Sequence, residues 1–267
     1  MNRNETSRLI GERNIRPKKS KGQNFLIDDR VALRHVGFAS VERNEKVLEV
    51  GPGLGMLTEK LLDVCDHVTA IEVDEKLADH IKEEFRNVEL ICGDALEIAW
   101  PPFDRFVSNL PYSISTPVIF KLLAHDFKKA VVMVQKEFAE RMVATRGEVD
   151  YSRLTVNVYY RAECRILENV PASRFKPRPK VDSAIVEIVP RPAPFRVKDE
   201  RTFFKVVDAG FLHRRKKIRS ALRTEGITVP EYADVPFLDD RMEVLSPEDI
   251  GVLADAVYET LPGTSSE

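Results

Sequence analysis

The four residues Asn109-Leu110-Pro111-Tyr112 carry the combination of side chains in this sequence that is best suited to chemistry. They follow the apolar run Phe106-Val107-Ser108, which predicts a strand, and they precede a helical pattern that begins at Ser115. An amide oxygen that can accept, a proline without a backbone N–H and an aromatic ring therefore lie side by side where a strand ends. Such a set can hold the amino group of a base that is flipped out of its stack, while a ring packs on the face of the base.

A glycine-rich turn follows the predicted strand Lys46 to Val50. Its residues are Gly51-Pro52-Gly53-Leu54-Gly55, and a helix is expected from Met56 to Val64. A strand, a glycine loop and a helix in this order open a nucleotide-binding βαβ unit. This chain departs from the dinucleotide fingerprint G-x-G-x-x-G at Met56, and the loop alone fits a structural turn as well as a ligand site.

Two acidic residues come at the ends of the next two predicted strands. Glu72 lies about 20 residues after the loop, where a carboxylate can accept from both ribose hydroxyls. Asp94 is placed to accept from the amino group of an adenine ring. Either residue alone fits a solvated strand end or a helix cap, but their placement at successive strand ends favours a ligand site.

The ligands that remain are an NAD-like cofactor and S-adenosylmethionine. Glu72 argues against a phosphorylated ribose, and the glycine loop brings no lysine for a triphosphate. S-adenosylmethionine carries a sulfonium and an ammonium group. An acidic pocket without phosphate ligands therefore favours S-adenosylmethionine.

Seven strands are predicted, and they begin near residues 46, 68, 88, 104, 130, 162 and 182. Helical patterns lie between most of them, which indicates a parallel α/β sheet. No clear helix separates the last strands, so an antiparallel edge is expected. Asp28 is expected to cap a helix that runs through Ala39.

The segment Pro190-Arg191-Pro192-Ala193-Pro194 predicts a rigid linker and the main domain boundary. Three parts are expected: a basic arm at 1–27, an α/β domain at 28–190 and a helical domain at 191–267. In the last part, helices are expected at Glu200 to Leu212, Arg214 to Leu222 and Pro247 to Leu261.

The 267 residues are 43% hydrophobic and have a formal net charge of -2, as in an ordinary globular protein. Much of the positive charge is nevertheless concentrated in three runs, and local patches rather than the total decide attraction to phosphate. The runs comprise Arg13, Arg16, Lys18, Lys19 and Lys21; then Arg174, Lys176, Arg178 and Lys180; and finally Arg214 to Lys217 with Arg219 and Arg223.

Three cysteines, Cys65, Cys92 and Cys164, lie far apart and form no C-x-x-C pair. This spacing excludes a disulfide framework and argues against a zinc site, so reduced thiols of a cytosolic protein are expected. The N-terminus lacks the apolar stretch of a signal peptide, and no apolar run reaches membrane-spanning length. We therefore expect a cytoplasmic protein with no membrane partner and no metal.

Seven segments carry a resemblance that extends along the chain. In order, they are Gly22-Gln23-Asn24-Phe25-Leu26, Glu49 to Gly55, Ile71-Glu72-Val73-Asp74, Gly93-Asp94-Ala95, Asn109 to Tyr112, Phe175 to Ser183 and Phe211 to Lys217. This ordered set resembles the KsgA-type ribosomal RNA adenine dimethyltransferases over nearly the whole chain. The segments Gln135 to Val143 and Tyr151-Ser152-Arg153-Leu154 are most similar to the archaeal and eukaryotic branch of that family.

The resemblance implies a specific fold and activity. Members of the family transfer two methyl groups from S-adenosylmethionine onto each of two adjacent adenosines near the 3′ end of small-subunit ribosomal RNA. Their fold is a seven-stranded Rossmann-like methyltransferase domain with a small all-α C-terminal domain. By this similarity the cofactor contacts are Asn24, Leu26, Gly51, Glu72, Asp94 and Asn109, and we predict Gln23, Gly53 and Gly55 with them.

The predicted chemistry follows from the nature of the exocyclic amine of adenine, which is a poor nucleophile because its lone pair is delocalised into the ring. Two acceptors, the Asn109 side chain and the carbonyl of Leu110 or Pro111, would favour a pyramidal nitrogen and stabilise its growing positive charge. Most of the acceleration of methyl transfer should come from placing the amine nitrogen in line with the sulfonium methyl group. Tyr112 is expected to stack on the base. By family similarity Phe175 supplies the second face, although a core position fits Phe175 equally well.

Contact with RNA is expected at the basic arm and at a helix running from Arg214 to Arg223. The residues concerned in the helix are Arg214, Arg215, Lys216, Lys217, Arg219 and Arg223, and Phe175 is expected to contact the RNA base. Any single basic run is more often a solvated helix face, but three runs around one predicted pocket favour phosphate binding. The expected partner is small-subunit ribosomal RNA in a pre-ribosomal particle, and the protein is expected to act as a monomer.

Three other functions are compatible with parts of the sequence. A non-catalytic ribosome-assembly factor could use the same scaffold, although the intact tetrapeptide at Asn109 disfavours it. An NAD-dependent oxidoreductase is disfavoured by Met56 and by the lack of a hydride-transfer His or Tyr-Lys pair. There is also a resemblance to enzymes that methylate large-subunit RNA, and the basic C-terminal helix pattern favours the small-subunit group over them.

Overall fold

The structure, a computed structural model, describes residues 3–12, 15, 17 and 22–261. The first predicted basic run lies outside the described residues, namely Arg13, Arg16, Lys18, Lys19 and Lys21. Before that run, Arg3–Glu12 form helix α1, which no sequence pattern had predicted. Ile15 is buried in a small cluster with Phe25, Leu54 and Leu77.

Nine strands are present in the described part of the chain. They are β1 Phe25–Leu26, β2 Lys46–Val50, β3 His67–Glu72, β4 Val88–Cys92, β5 Arg105–Asn109, β6 Lys129–Gln135, β7 Ala162–Val170, β8 Phe175–Lys176 and β9 Ser183–Pro190. Strands β2 to β7 and β9 correspond to the seven predicted strands, and each begins within one residue of its predicted start.

The helices after α1 are α2 Asp29–Ala39, α3 Met56–Val64, α4 Glu75–Glu84, α5 Ser115–Leu122, α6 Lys136–Val143, α7 Arg153–Arg161, α8 Glu200–Leu212, α9 Ile218–Thr224 and α10 Pro247–Glu259. Helices α2 to α7 lie between strands of the chain, and α8 to α10 follow the last strand. The predicted cap at Asp28 is confirmed, because its carboxylate accepts from the backbone N–H groups of Arg30 and Val31.

The seven predicted strands form one sheet with the order β4-β3-β2-β5-β6-β9-β7. Strands β2 to β6 pair in parallel with their neighbours, whereas β9 runs antiparallel to β6. This confirms the predicted Rossmann-like α/β sheet with an antiparallel part. Because the parallel strands end at the same edge, the glycine loop after β2, Glu72, Asp94 and Asn109 all meet there.

A second, two-stranded sheet was not predicted. Strand β1 pairs antiparallel with β8, so that Phe25 lies opposite Lys176 and Leu26 lies opposite Phe175. Two-residue strands are too short to show a hydrophobic period, and their pairing joins positions far apart in the sequence. This small sheet ties the segment before α2 to the segment before β9.

The chain divides into two compact units. The first consists of Met1–Ala139 and Glu163–Pro190, and the second of Glu140–Ala162 and Arg191–Glu267. The second unit therefore includes α7, which was expected from the sequence to belong to the α/β domain. Its grouping has a physical cause, because Val156 and Tyr160 of α7 share a buried cluster with Phe203 of α8.

The described secondary structure of the second unit is almost wholly helical, and α10 begins with a capping box. The Ser246 hydroxyl accepts from the Asp249 backbone N–H, and the Asp249 carboxylate accepts from the Ser246 N–H. The buried side chains of α8, α9 and α10 form one apolar core, to which Phe203, Leu222 and Leu253 belong.

The predicted helix from Arg214 to Leu222 is wrong in its first turn. Helix α8 ends at Leu212, and α9 begins only at Ile218, so residues 213–217 form a turn between them. The turn is fixed by Arg214, whose guanidinium donates to the Glu243 carboxylate and to the Val149 carbonyl. Ile218, the first residue of α9, is fully buried.

Candidate active site

A cavity of about 310 Å³ opens at the carboxyl ends of the parallel strands in the first unit. It is lined by the loops that follow β2, β3, β4 and β5, and by residues 22–26. This volume lies at the lower end of the range found for small-molecule sites. The cavity therefore occupies the place where ligands bind in open parallel α/β sheets.

All four residues of the Asn109-Leu110-Pro111-Tyr112 tetrapeptide line this cavity. Asn109 is the last residue of β5, and its half-buried carboxamide makes no hydrogen bond to any described residue. The neighbouring Ser108 is buried and donates its hydroxyl to the Val50 carbonyl at 2.6 Å, which joins the ends of β5 and β2. A rigid strand end thus presents an unsatisfied amide group to the cavity.

The backbone of the tetrapeptide settles which carbonyl can serve as a second acceptor. The Pro111 carbonyl already accepts from the Ile114 N–H at 3.1 Å and from the Ser115 hydroxyl at 3.2 Å. The Leu110 carbonyl accepts no hydrogen bond within the described part of the chain. Of the two carbonyls that the sequence left open, the one on Leu110 is therefore available to a ligand.

The ring of Tyr112 is held by a hydrogen bond that the sequence did not predict. Its hydroxyl and the Ser183 hydroxyl lie 2.7 Å apart, and Ser183 is fully buried at the start of β9. Burial raises the pKa of Tyr112 above its usual value. The phenol is therefore neutral and fixed, and it can act as a stacking face but not as a base.

The glycine loop passes close to the tetrapeptide and to Glu72. A Cβ on Gly51, whose φ is +72°, would lie 3.1 Å from the Pro111 ring. The Gly53 N–H donates to the Glu72 carboxylate at 3.3 Å, and both glycines line the cavity. Gly55 does not line it, so its predicted cofactor contact is not supported. A Cβ there would collide with the Phe85 ring, which makes Gly55 a packing glycine at the start of α3.

Glu72 lies at the end of β3 and is only 4% exposed. Burial raises the pKa of its carboxyl group, whereas the backbone N–H groups of Asp74 and Gly53 act to lower it. These two donors bind one oxygen each, at 2.9 and 3.3 Å. The backbone N–H groups of Asp74 and Gly53 therefore fix the orientation of the carboxylate, which lines the cavity.

Asp94 lies two residues beyond β4 and is half-buried at the cavity wall. One of its oxygens accepts from the Leu96 N–H at 2.8 Å, and the other accepts no hydrogen bond from a described residue. The loop that follows is held by the Lys121 ammonium of α5, which donates to the carbonyls of Ala95 and Ile98. An acceptor is thus presented on a fixed loop.

Residues 22–26 form the remaining wall, and the predicted residues Gln23, Asn24 and Leu26 all line the cavity. The Asn24 amide donates to the Gly22 carbonyl at 3.1 Å. A Cβ on Gly22 would lie 3.0 Å from the backbone nitrogen of Tyr112. This segment therefore packs directly against the tetrapeptide.

Glu49 is a cavity residue to which no role was assigned from the sequence. It lies on β2 directly before the glycine loop, is 1% exposed, and accepts from the Thr58 hydroxyl at 2.7 Å. Burial raises the pKa of Glu49 to about 8. The signal was present in the sequence, because a lone acidic residue interrupts an otherwise apolar strand just before a ligand-binding turn.

Phe175 does not reach the cavity. It is 2% exposed, pairs with Leu26 in the small sheet, and belongs to the apolar core of the first unit. The predicted second stacking face is therefore not present at Phe175. Core packing, which fitted Phe175 equally well from the sequence, explains its position.

The residues of the third basic run lie in the second unit, and several are paired there. Arg214 pairs with Glu243, Lys217 pairs with Asp239 at 3.0 Å, and Lys216 donates to the Thr224 hydroxyl. The side chains of three other members form no hydrogen bond or ion pair with any described residue, namely Arg215, Arg219 and Arg223. Their contact with RNA stays a prediction.

The lining of the cavity fits a cationic ligand better than a phosphate. Three carboxyl groups line it, those of Glu49, Glu72 and Asp94, while no lysine or arginine is among its described lining residues. This set matches a ligand with a sulfonium and an ammonium group, and the unpartnered Asn109 amide adds an acceptor for an amine. Nowhere in the described chain do three or more His, Cys, Asp or Glu side chains group as metal ligands. No described helix is both long and apolar enough to span a bilayer.

Comparison with known proteins agrees with this geometry. The family model of the ribosomal RNA adenine dimethylases matches residues 14–246. The chain belongs to this family. Its members are S-adenosylmethionine-dependent methyltransferases with a Rossmann-like fold, and this is the fold of the first unit.

Relatives of this dimethylase are found among archaeal proteins. A protein of Methanosarcina acetivorans is 44% identical over 89% of this chain and 92% of its own length. A protein of Pyrococcus furiosus is 42% identical over 91% of this chain and 92% of its own length. Both are described as probable ribosomal RNA small subunit methyltransferase A.

Two solved structures resemble the dimethylase over most of its length. A dimethyladenosine transferase from Plasmodium falciparum has a TM-score of 0.71 and 32% identity, covering 86% of this chain and 95% of that one. The 23S rRNA methyltransferase ErmE has a TM-score of 0.65 and 27% identity, covering 88% of this chain and 99% of that one.

Proposed function

We propose that this dimethylase methylates the exocyclic amines of two adjacent adenosines near the 3′ end of small-subunit ribosomal RNA, within a pre-ribosomal particle. The observation that carries this proposal is the pair of unsatisfied acceptors at one cavity edge. They are the Asn109 carboxamide oxygen and the Leu110 carbonyl, on adjacent residues at the end of β5. An amine with two hydrogens is the group that satisfies both.

The two acceptors act on the nucleophile. Hydrogen bonds from the amine to Asn109 and Leu110 direct both hydrogens away from the lone pair, which favours a pyramidal nitrogen. The same bonds strengthen as positive charge grows on nitrogen, so they stabilise the transition state more than the ground state. Because both acceptors are fixed by β5, little reorganisation is needed when the base arrives.

Tyr112 positions the base. Its ring lines the cavity, and the bond to Ser183 prevents it from turning away. Stacking on an aromatic ring contributes about 1–3 kcal/mol per base without depending strongly on sequence. The neutral phenol takes no part in removing a proton. The nitrogen carries a positive charge once the methyl group is attached, is then strongly acidic, and loses its proton to water.

The residues of the cavity wall would hold S-adenosylmethionine. Bound there, it supplies an electrophilic methyl group. Glu72 would accept from the ribose hydroxyls and Asp94 from the adenine amine. The glycines at 51 and 53 leave room for a ligand against the backbone.

The experiment that tests this proposal uses the full chain, radiolabelled S-adenosylmethionine, and immature small and large ribosomal subunits from a strain that lacks the activity. We expect label in two adjacent adenosines of the small-subunit RNA only. Label in large-subunit RNA would instead support the function in the name of ErmE, which the higher identity to small-subunit relatives disfavours. A protein that binds the particle but transfers no label would support a pure assembly factor.

We further infer that the protein acts as a monomer in the cytoplasm. All three cysteines, Cys65, Cys92 and Cys164, are free thiols, which is typical of a reducing compartment. Light scattering of the purified chain and fractionation of cells that express it test these two inferences. A stable dimer or a membrane-associated fraction would contradict them.

A further inference from the structure

The loop formed by residues 177–182, here called the rim loop, is attached at both ends to the wall of the cavity. At its first end, strand β8 pairs with β1, so that Lys176 lies opposite Phe25 and Phe175 opposite Leu26. Phe25 and Leu26 both line the cavity. The beginning of the rim loop is therefore one strand away from the cavity.

The other end of the rim loop is attached to the tetrapeptide. Ser183, the next residue along, shares a hydrogen bond of 2.7 Å with the hydroxyl of Tyr112, which lines the cavity. Asp182 fixes the approach, because its carbonyl accepts from the Lys136 N–H and its carboxylate accepts from the Ala172 N–H. Both ends of the rim loop therefore lie beside residues that line the cavity, and the six residues between them span at most about 20 Å.

The rim loop carries two cations whose charge is not neutralised. Arg178 and Lys180 make no hydrogen bond or ion pair with any described residue, and both side chains are accessible to solvent. By contrast, Arg174 in the same basic run pairs with Asp28 at 2.7 Å. The two cations belong to the basic run at 174–180, one of the three runs whose placement favoured phosphate binding, but neither was named as an RNA contact from the sequence.

We propose that Arg178 and Lys180 bind the RNA phosphates that flank the adenosine in the cavity. This inference rests on the proposed function. A base that leaves its stack turns its own backbone toward the protein, so its neighbouring phosphates come to the rim through which the base enters. The guanidinium of Arg178 can bind phosphate bidentately, and the Lys180 ammonium adds a point charge. The contact fixes the register of the RNA while the reaction depends on Asn109 and Leu110.

The first test measures RNA affinity against salt with the full chain and a single-stranded RNA that contains two adjacent adenosines. The double variant R178Q/K180Q is compared with K82Q/R86Q. Lys82 and Arg86 are also exposed cations of the first unit, at the end of α4 away from its cavity-lining residue Leu77. We expect the slope of log affinity against log salt to fall by about one for each rim-loop cation removed, and to stay unchanged in the control.

The second test places the contact. One phosphate beside the target adenosine is replaced by a neutral methylphosphonate. We expect the wild-type protein and K82Q/R86Q to lose affinity for this RNA, and R178Q/K180Q to show no further loss, because the partner charges are already gone. Equal losses in all three proteins, or an unchanged salt slope in R178Q/K180Q, would overturn the proposal.

Catalytic measurements separate this inference from the proposed function. In R178Q/K180Q we expect KM for the RNA substrate to rise several-fold, with kcat and the Kd of S-adenosylmethionine unchanged. A fall in kcat at unchanged KM would contradict a phosphate-binding role. If the wild-type protein methylates no RNA, the proposed function fails, while the two binding experiments still decide the role of the rim loop.

Discussion

The Lys121 ammonium of α5 donates a hydrogen bond to the Ala95 carbonyl at 2.8 Å. It also donates to the carbonyls of Leu96 and Ile98 and lies over the Trp100 ring. One cation thus satisfies three carbonyls of the loop that begins with Asp94. Because Asp94 is the proposed partner of the cofactor adenine, a residue outside the cavity fixes the geometry of a residue in its wall.

The variant K121M is expected to weaken cofactor binding. Loss of a charged donor leaves the loop carbonyls without their partner, at a cost of about 1.5–3 kcal/mol. The Kd for S-adenosylmethionine should rise and the melting temperature should fall, whereas affinity for RNA should not change. Calorimetric titration and thermal unfolding measure the first two quantities. A cofactor Kd equal to that of the wild type would show that Lys121 stabilises the fold without positioning Asp94.

The variant N109A should lose methyl transfer. Removing one preorganised group that stabilises developing charge typically costs about 10²–10³ in kcat. The unfolding free energy should change little, since the Asn109 carboxamide has no hydrogen bond among the described residues to lose. The exposed Asn87 provides the control variant N87A, which should keep full activity. Single-turnover transfer to RNA is the measurement, and near-normal rates in N109A would refute its proposed role.

The variants S183A and Y112F test the hydrogen bond that holds the stacking ring. Each removes the same bond, worth about 0.5–1.5 kcal/mol. We therefore expect each to lower kcat by a few-fold, and the double variant to be no worse than either one. A double-mutant cycle on kcat makes this comparison. Additive losses would mean that the two hydroxyl groups act independently.

Stability should depend on pH through Glu49. Burial raises the pKa of Glu49 in the folded protein from 4.5 to about 8. Below pH 4.5 the group is protonated in both states. As pH rises from there through about 8 it ionises in the unfolded state first, so the folded state loses stability. The variant E49Q should lack this loss and should be more stable than the wild type by up to a few kcal/mol at about pH 9. Urea unfolding between about pH 5 and pH 9 measures the difference.

Glu45 supplies a control of opposite sign. Although burial acts to raise it, the hydrogen bonds from Arg105 and Lys128 hold the pKa of Glu45 at about 2, below its ordinary 4.5. Its contribution is present above pH 4.5 and is lost as pH falls toward 2. The variant E45Q should therefore be destabilised at neutral pH. If E49Q and E45Q shifted stability in the same direction at about pH 9, the assigned pKa of Glu49 would be wrong.

Much of the cavity could be predicted from the sequence because its main residues stand at strand ends. Strand periodicity placed the ends of β3 and β5, and a parallel sheet brings such ends to one edge. Glu72 and Asn109 were therefore identified without a structure. These positions depend on local pattern and on one general rule of topology.

Other features depend on contacts that no local pattern records. Phe175 enters the core because a two-residue strand pairs it with Leu26, a position far away in the sequence. Gly55 resembles Gly51 in the sequence, and only the Phe85 ring above it shows that it serves packing. The Pro111 carbonyl is occupied because the chain makes a 3-10 turn at residues 112–114, and this turn is visible only in three dimensions.

That occupied Pro111 carbonyl has a consequence for the order of events at the target nitrogen. With the Pro111 oxygen engaged by Ile114 and Ser115, an incoming amine finds two acceptors, one for each hydrogen. After one transfer a single hydrogen is left, and either Asn109 or Leu110 faces a methyl group instead. The first methyl transfer is therefore assisted by two hydrogen bonds from the amine and the second by one. Singly modified adenosine should build up first when the methyl donor is scarce.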